Sequence, residues 1–176
     1  MIRGSRGINL ITLVIGDIVT QETEAIVNAA NEMLAAGSGV SGAIHAAAGS
    51  HLELECLQLG RCPPGEARIT LGYKLKARFV IHAVAPRYWD GTRGEAMVLR
   101  QTYTSIFELA VKNKIGSIAI PAIGTGIYRY PMLEATEIAF DIAAIYSERL
   151  DIRFVCFDLK AFEIYTNVGE RLGLVE

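Results

Sequence analysis

Cysteine and histidine are both scarce in this chain, and each scarcity excludes a class of protein. The 176 residues include only three cysteines, Cys56, Cys62 and Cys156, and these form no CxxC pair. We therefore expect buried thiols in a reducing compartment rather than a disulfide framework. The three histidines show neither HExxH nor a comparable spacing. For this reason we predict no metal site and no cofactor.

A strong charge of one sign is also missing, as are long hydrophobic runs. Lysine and arginine number 17 against 19 aspartates and glutamates, a formal net charge of −2, so we expect no direct nucleic-acid binding and no attraction to a membrane surface. No stretch approaches the roughly 20 apolar residues that span a bilayer. The run Ile8–Ile15 after Arg3 and Arg6 imitates a short signal peptide, but it lacks a small-residue cleavage motif and fits a buried strand. We predict a cytoplasmic protein.

Short β-branched segments alternate along the chain with patterns of helical spacing. We predict strands at Ile8–Ile15, Ala25–Asn28, Arg68–Leu71, Phe79–Ala83, Ser117–Ile120 and Arg153–Phe157. We predict helices at Ser41–Gly49, His51–Leu59 and Met132–Leu150, around Leu99 to Ala110, and from Ile164 to Leu172. This alternation indicates a mainly parallel or mixed sheet with helices on both faces. Such sheets bind ligands beyond the carboxyl ends of their strands.

Two glycine-rich loops carry the strongest chemical signal. Gly37–Gly42 precedes a helix of small residues, and Pro121–Tyr128 lies between an apolar strand and a helix. Glycine lets backbone N–H groups converge on an anion, and a helix N-terminus adds partial positive charge. Two such loops favour a diphosphate. The first loop matches GxGxxG, but it does not follow its strand directly, and P-loop and GxSxG motifs are missing. A dinucleotide-binding domain, an ATPase and an α/β-hydrolase are therefore disfavoured.

Polar and aromatic side chains mark several strand ends. Asp17 can accept a hydrogen bond from an adenine amino group, or it can cap the next turn. Asn31 can bond to sugar hydroxyls, whereas a structural role is predicted for Asn28. Phe157 closes the last strand and belongs either to the core or to a ligand site. His45 is interpreted as a core histidine with satisfied hydrogen bonds.

Taken in order, these segments resemble the macrodomain family, whose members bind ADP-ribose. The resemblance rests on Gly16-Asp17-Ile18, Ile26–Asn31, Gly37–His45, Gly124–Tyr128 and Phe157-Asp158. Similarity to the MacroD-type branch rests on Glu55-Cys56, Gly72-Tyr73 and Val80–His82. The resemblance implies a three-layer α/β/α sandwich around a mixed sheet. It also implies one domain over residues 1–176, with a core at about 8–172.

The family resemblance implies roles for individual residues. Asp17 would accept from the adenine amino group with help from the backbone of Ile18, and Phe157 would lie against the adenine ring. Asn31 would contact the distal ribose and is our candidate catalytic residue. The two loops would hold the diphosphate. The predicted ligand-binding set is Asp17, Ile18, Asn31, Gly39, Val40, Ser41, Gly124, Thr125, Gly126, Ile127, Tyr128 and Phe157.

Ser41 departs from the MacroD-type pattern, which has aspartate at this position. A serine hydroxyl positions water but accepts no proton near neutral pH, and a general base contributes roughly 10²–10⁴-fold. Two functions therefore stay open. One is a hydrolase that frees acidic protein side chains of ADP-ribose or deacetylates O-acetyl-ADP-ribose. The other is a non-catalytic reader of ADP-ribose or ADP-ribosylated partners. A Ser41–His45 nucleophile pair is disfavoured, because no acid is spaced to orient the imidazole.

Overall fold

The structure is a computed structural model that describes residues 11–176. Within this range the strands are β1 Thr12–Ile15, β2 Ala25–Ala29, β3 Ala67–Leu71, β4 Phe79–Ala83, β5 Ser117–Pro121 and β6 Asp151–Cys156. The helices are α1 Gly39–Ala48, α2 Ser50–Leu59, α3 Glu95–Lys112, α4 Met132–Tyr146 and α5 Leu159–Leu172. A 3₁₀ turn, Ile18–Thr20, follows β1. Residues 8–10 of the first predicted strand lie outside the described residues.

The strands form one sheet in the order β1-β6-β5-β2-β4-β3. Every neighbouring pair is parallel except β3 with β4. The carboxyl ends of the five parallel strands therefore meet at one edge of the sheet, where ligands of such folds bind. The predicted mixed sheet is confirmed.

Successive residues of the central strands enter two separate cores, because side chains alternate between the faces of a sheet. Val27 and Ile81 belong to the larger core, which includes buried residues of α3, α4 and α5. Ile26 and Val80 belong to the smaller core, which includes buried residues of α1 and α2. Helices thus cover both faces, and the predicted three-layer sandwich is confirmed.

Some element ends differ from the prediction where long-range bonds determine them. β6 ends at Cys156, so Phe157 lies just outside the sheet. α4 ends at Tyr146 instead of Leu150, and the N–H of Asp151 donates to the carbonyl of Gly116 at 2.9 Å. This bond brings the chain into β6, and the local helical pattern contains no sign of it.

The predicted burial of the cysteines is confirmed, since Cys56, Cys62 and Cys156 are all buried free thiols. Burial raises the pKa of Cys56 and of Cys156 to about 11, which keeps both in the unreactive thiol form. Among the helices of residues 11–176, none combines the length and the apolar character needed to cross a membrane.

Candidate functional site

A cleft of about 200 Å³ opens at the carboxyl edge of the sheet. It lies between the two glycine-rich loops that the sequence singles out. The predicted residues that line it are Asn31, Gly39, Val40, Ser41, Gly124, Gly126, Ile127 and Tyr128. The predicted residues outside its lining are Asp17, Ile18, Thr125 and Phe157. The lining residues outside the predicted ligand-binding set are Ala29, Ala30, Gly37, Ser38, Ala85 and Ala122, of which Gly37, Ser38 and Ala122 belong to the two glycine-rich loops.

Most of the lining residues that were missed are small and lie next to predicted ones. Ala29 and Ala30 lie between Asn28 and Asn31, and Ser38 lies within the first glycine loop. Their position next to predicted site residues was therefore the only signal in the sequence. Ala85 is different. It follows β4, and only the pairing of β4 with β2 brings it to the cleft.

The first loop presents unpaired backbone donors to the cleft. The first turn of a helix has N–H groups without intrahelical partners, and the N-cap residue Ser38 makes no side-chain bond to them in α1. Gly39 has a φ of +59°, a conformation that side chains other than glycine rarely adopt. Gly42 lies so close to the carbonyl oxygen of Gly37 that a Cβ would not fit. This end of α1 is suited to an anion.

The second loop is a tight turn between β5 and α4. Gly124 has a φ of +81°, and its carbonyl accepts from the N–H of Tyr130 at 2.9 Å. The carbonyl of Gly126 accepts from the N–H of Arg129 at the same distance. The Thr125 hydroxyl donates to the carbonyl of Ala122 at 3.4 Å, which directs this side chain to the loop backbone.

Asp17, Ile18 and Phe157 form a second group beside the cleft, after the paired strands β1 and β6. The N–H of Gly16 donates to the carbonyl of Cys156 at 3.0 Å, which joins the two loops. One carboxylate oxygen of Asp17 caps the 3₁₀ turn by accepting from Val19 N–H at 3.0 Å. Phe157 is 87% exposed, so the core alternative is wrong and the ring is free to stack on a ligand.

Asn31 has a structural role in addition to lining the cleft. Its Oδ1 accepts from the N–H groups of Met33 and Ala35, both at 3.1 Å. Its Nδ2 donates to the carbonyl of Ala35 at 3.0 Å. Since an amide nitrogen has two donors, one N–H stays available to the cleft while the rest of the group fixes the loop.

A buried polar chain leads from Ser41 into the interior. The Nδ2 of Asn28 lies 3.4 Å from the hydroxyl of Ser41 and 3.1 Å from Nδ1 of His82. On its other side, Nε2 of His82 lies 2.9 Å from the hydroxyl of Thr70. Asn28 and His82 are fully buried, so the structural role predicted for Asn28 fits its position. The long Asn28–Ser41 bond thus links the cleft to the buried interior.

His45 does not behave as predicted. It is buried, but neither ring nitrogen has a hydrogen-bond partner within residues 11–176. Ser41 instead donates to the carbonyl of Ala35 at 3.5 Å, so the Ser41–His45 pair gains no support. Ligand atoms of His45, Cys56 and His82 all lie within 4.8 Å of one another. Both nitrogens of His82 are already engaged, however, so a metal would have to displace Asn28 or Thr70.

Acid should destabilise the fold through His82. Burial lowers its pKa from 6.5 to about 3, and the nearby His45 adds to this effect. Because its pKa is lower in the folded state, His82 takes up a proton more readily in the unfolded protein. Protonation therefore favours unfolding, and the free energy of unfolding falls as the pH drops below 6.5. From the two pKa values we expect the free energy of unfolding to fall by about 2 kcal/mol between pH 7 and pH 5.

Urea titrations at several pH values measure this effect. The exposed His51→Gln variant is the control and should keep the pH dependence, whereas His82→Gln should flatten it while lowering stability throughout. Equal stability at pH 7 and pH 5 in the parent protein contradicts the prediction.

Comparisons with known proteins agree with this geometry. Residues 27–139 match the Macro domain family. A Macro domain-containing protein of Mesorhizobium japonicum is 46% identical over 165 residues, 92% of this chain and 94% of that protein. An O-acetyl-ADP-ribose deacetylase of Klebsiella pneumoniae is 45% identical over 161 residues, 87% of this chain and 92% of that protein.

Solved structures show the same fold. A mutant of the Oceanobacillus iheyensis macrodomain with ADPR superposes with a TM-score of 0.88 at 36% identity, over 94% of this chain and 96% of that one. The Trypanosoma brucei macrodomain in complex with ADP-ribose gives a TM-score of 0.84 at 40% identity, over 89% of this chain and 68% of that one. The chain therefore belongs to the macrodomain family, and the resemblance seen in the sequence is confirmed.

Proposed function

We propose that this macrodomain binds ADP-ribose across the carboxyl edge of its sheet and hydrolyses ADP-ribosyl esters. The substrates are O-acetyl-ADP-ribose and proteins with ADP-ribose on acidic side chains. The observation that carries the proposal is the order of chemistry along the edge. Asp17 and the exposed Phe157 follow the paired strands β1 and β6, the second glycine loop follows β5, and Asn31 and the first glycine loop follow β2.

Each part of the ligand meets matching chemistry in this arrangement. A free carboxylate oxygen of Asp17 would accept from the adenine amino group, and Phe157 would stack on the ring. The loops would bind the diphosphate through backbone N–H groups. Asn31, Val40 and Tyr128 would surround the distal ribose. The proteins of similar sequence that are named O-acetyl-ADP-ribose deacetylases support the reaction.

The reaction itself needs a positioned water and donors for developing charge. Water would attack the ester carbonyl carbon, and the N–H groups at the cleft would stabilise the oxyanion. Collapse of this intermediate would release ADP-ribose and the carboxylic acid. Ser41 and the free N–H of Asn31 would orient the water, but neither is a base near neutral pH. The water would therefore transfer its proton to a phosphate oxygen of the bound ligand, and this proton would pass to the ribose oxygen as the ester C–O bond breaks.

Ser41 keeps a second function in consideration, that of a non-catalytic reader of ADP-ribosylated proteins. Both functions need the same cleft and differ only in turnover.

The cytoplasmic location and the single-domain organisation remain predictions from the sequence.

ADP-ribose should bind more tightly than ADP, AMP or NAD. ADP and AMP lack the terminal sugar, and a missing partner at a buried polar site costs roughly 1–3 kcal/mol. Isothermal titration calorimetry measures the four affinities, and equal affinity for ADP and ADP-ribose contradicts the ribose pocket. Release of acetate from O-acetyl-ADP-ribose, and of ADP-ribose from a protein modified on glutamate, then separates the hydrolase from the reader.

A further inference from the structure

The segment between β4 and α3 adjoins the ribose end of the cleft. The order of the strands puts β4 next to β2, on the side away from β1 and β6. Ala85 lines the cleft, and the N–H of Tyr88 donates to the carbonyl of Tyr128 at 2.9 Å. The guanidinium of Arg87 lies 5.2 Å from the centre of the Tyr128 ring. Whatever extends from the distal ribose towards β4 would meet this segment.

Two large apolar side chains are exposed here. Trp89, the only tryptophan of the chain, is 65% exposed, and the cleft residue Ile127 is 77% exposed. Single exposed apolar residues are common on protein surfaces and need no explanation by themselves. Trp89 is distinguished by the way its loop is held.

A buried carboxylate fixes the conformation of this loop. Oε1 of Glu95 accepts from the N–H groups of Trp89, Asp90 and Gly91 at 3.1, 3.3 and 3.2 Å. Its Oε2 accepts from the N–H of Arg93 at 2.7 Å. Burial alone would raise the pKa of this carboxyl, but the backbone donors outweigh burial and lower the pKa to about 2. The loop is therefore preorganised at neutral pH, which reduces the entropy lost on binding.

The charges beside the indole favour an acidic partner. Arg87 and Arg129 are exposed, and within residues 11–176 neither has a carboxylate within 4.0 Å. The guanidinium of Arg93 lies 5.3 Å from the centre of the Trp89 ring and is paired with Asp90 at 3.6 Å. The carboxylates of Glu95 and Asp90 already have donors. Trp89 thus lies in a region with two arginines that have no carboxylate partner. Arg87 precedes Trp89 by two residues, and Arg129 follows Tyr128, whose carbonyl accepts from the N–H of Tyr88.

We propose that Trp89, with Arg87 and Arg129, binds the polypeptide of an ADP-ribosylated protein, namely the acidic segment around the modified side chain. This inference rests on the proposed function, since it places the ribose at Asn31. It assigns the macrodomain a preference for modified protein over O-acetyl-ADP-ribose, which carries no polypeptide to contact the loop.

A comparison of two substrates tests the proposal. Trp89→Ala keeps the backbone N–H that Glu95 binds, so the loop should keep its shape. We expect kcat/KM for a protein modified on glutamate to fall about tenfold, because exposed tryptophans commonly dominate the binding of a polypeptide partner. For O-acetyl-ADP-ribose we expect no change beyond twofold, and calorimetric affinity for ADP-ribose should match the parent.

Matched variants and a direct signal complete the experiment. Leu57→Ala removes a side chain that is 69% exposed on α2, on the other face of the sheet, and should affect neither substrate. Because Trp89 is the only tryptophan, its fluorescence should shift when the modified protein binds and stay unchanged with ADP-ribose alone. Arg87→Gln should weaken binding of the modified protein selectively.

The outcomes separate this proposal from the proposed function. An equal loss on both substrates, or no loss on either, overturns the role of Trp89 while the hydrolase stands. If the parent binds ADP-ribose without turnover, the same comparison is made with affinities for the modified protein and for free ADP-ribose. If the parent binds no ADP-ribose, the proposed function fails, and an unchanged Trp89 fluorescence with modified protein then refutes the polypeptide site as well.

Discussion

A Gly126→Glu variant is expected to fold like the parent protein and to lose ADP-ribose binding by 100-fold or more. Gly126 lines the cleft, and a Cβ built on it meets nothing within 4 Å. The substitution therefore adds no strain to the fold. The carboxylate would enter the space proposed for the diphosphate, and like charges about 4 Å apart repel by about 4 kcal/mol at an effective dielectric constant of about 20.

Calorimetry with ADP-ribose measures the loss, and circular dichroism during thermal unfolding checks the fold. Gly126→Ala is the matched control. It adds one uncharged methyl group, which changes binding by about 1 kcal/mol at most. A folded Gly126→Glu protein with normal affinity would show that the ligand does not lie in this cleft.

Gly124 illustrates why the choice of glycine matters in this experiment. Its φ of +81° disfavours any other residue, and a Cβ there would lie 3.1 Å from the Cβ of Ala85. A substitution at Gly124 would disturb the packing of the loop against the segment after β4. Loss of binding at that position would therefore not separate the ligand site from the fold.

The parts of the site that the sequence predicts are those whose chemistry is local. Gly39 and Gly124 are in left-handed conformations, and the glycine-rich motifs around them predict a turn before a helix. Helical and strand periodicity likewise predicted the six strands and five α-helices, with shifts of up to five residues at their ends, but not the 3₁₀ turn Ile18–Thr20. Phe157 was assigned to a ligand site by the family resemblance, and its exposure after β6 agrees with that position.

The parts that the sequence does not predict depend on contacts between distant segments. Ala85 reaches the cleft because β4 pairs with β2, and no motif marks it. The cluster of His45, Cys56 and His82 combines α1, α2 and β4, so spacing along the chain could not reveal it. The hydrogen bonds of Glu95 join it to residues that are near in the sequence, in the loop before α3. No sequence pattern, however, distinguishes this glutamate from a surface residue.

Asn31 alone does not distinguish catalysis from binding. An Asn31→Ala variant would lose three hydrogen bonds to the loop of Met33 and Ala35. Because this loop borders the cleft, affinity for ADP-ribose should fall together with turnover. A fall in turnover of this variant would therefore not by itself assign Asn31 a role in catalysis. A residue with weaker ties to the loop gives a clearer answer.

Ser41 is that residue, and its variants should determine how the attacking water is held. Its hydroxyl has two long bonds, 3.4 Å to Asn28 and 3.5 Å to the carbonyl of Ala35, so Ser41→Ala removes little from the fold. If the ligand phosphate and Asn31 hold the water, Ser41→Ala should change kcat by less than about threefold, because no base is lost.

Ser41→Asp should raise kcat towards 100-fold, if the missing carboxylate limits the reaction. Asp would lie in the first turn of α1, where the helix dipole stabilises negative charge, and Asn28 could donate to it. A restored base contributes roughly 10²–10⁴-fold, although the carbonyl of Ala35 opposes the new charge. Steady-state rates on O-acetyl-ADP-ribose and calorimetric affinities measure both variants. Loss of all hydrolysis in Ser41→Ala with normal ADP-ribose affinity would contradict both versions. The Ser41 hydroxyl itself would then be required, and a burst of ADP-ribose release before steady state would identify it as the nucleophile.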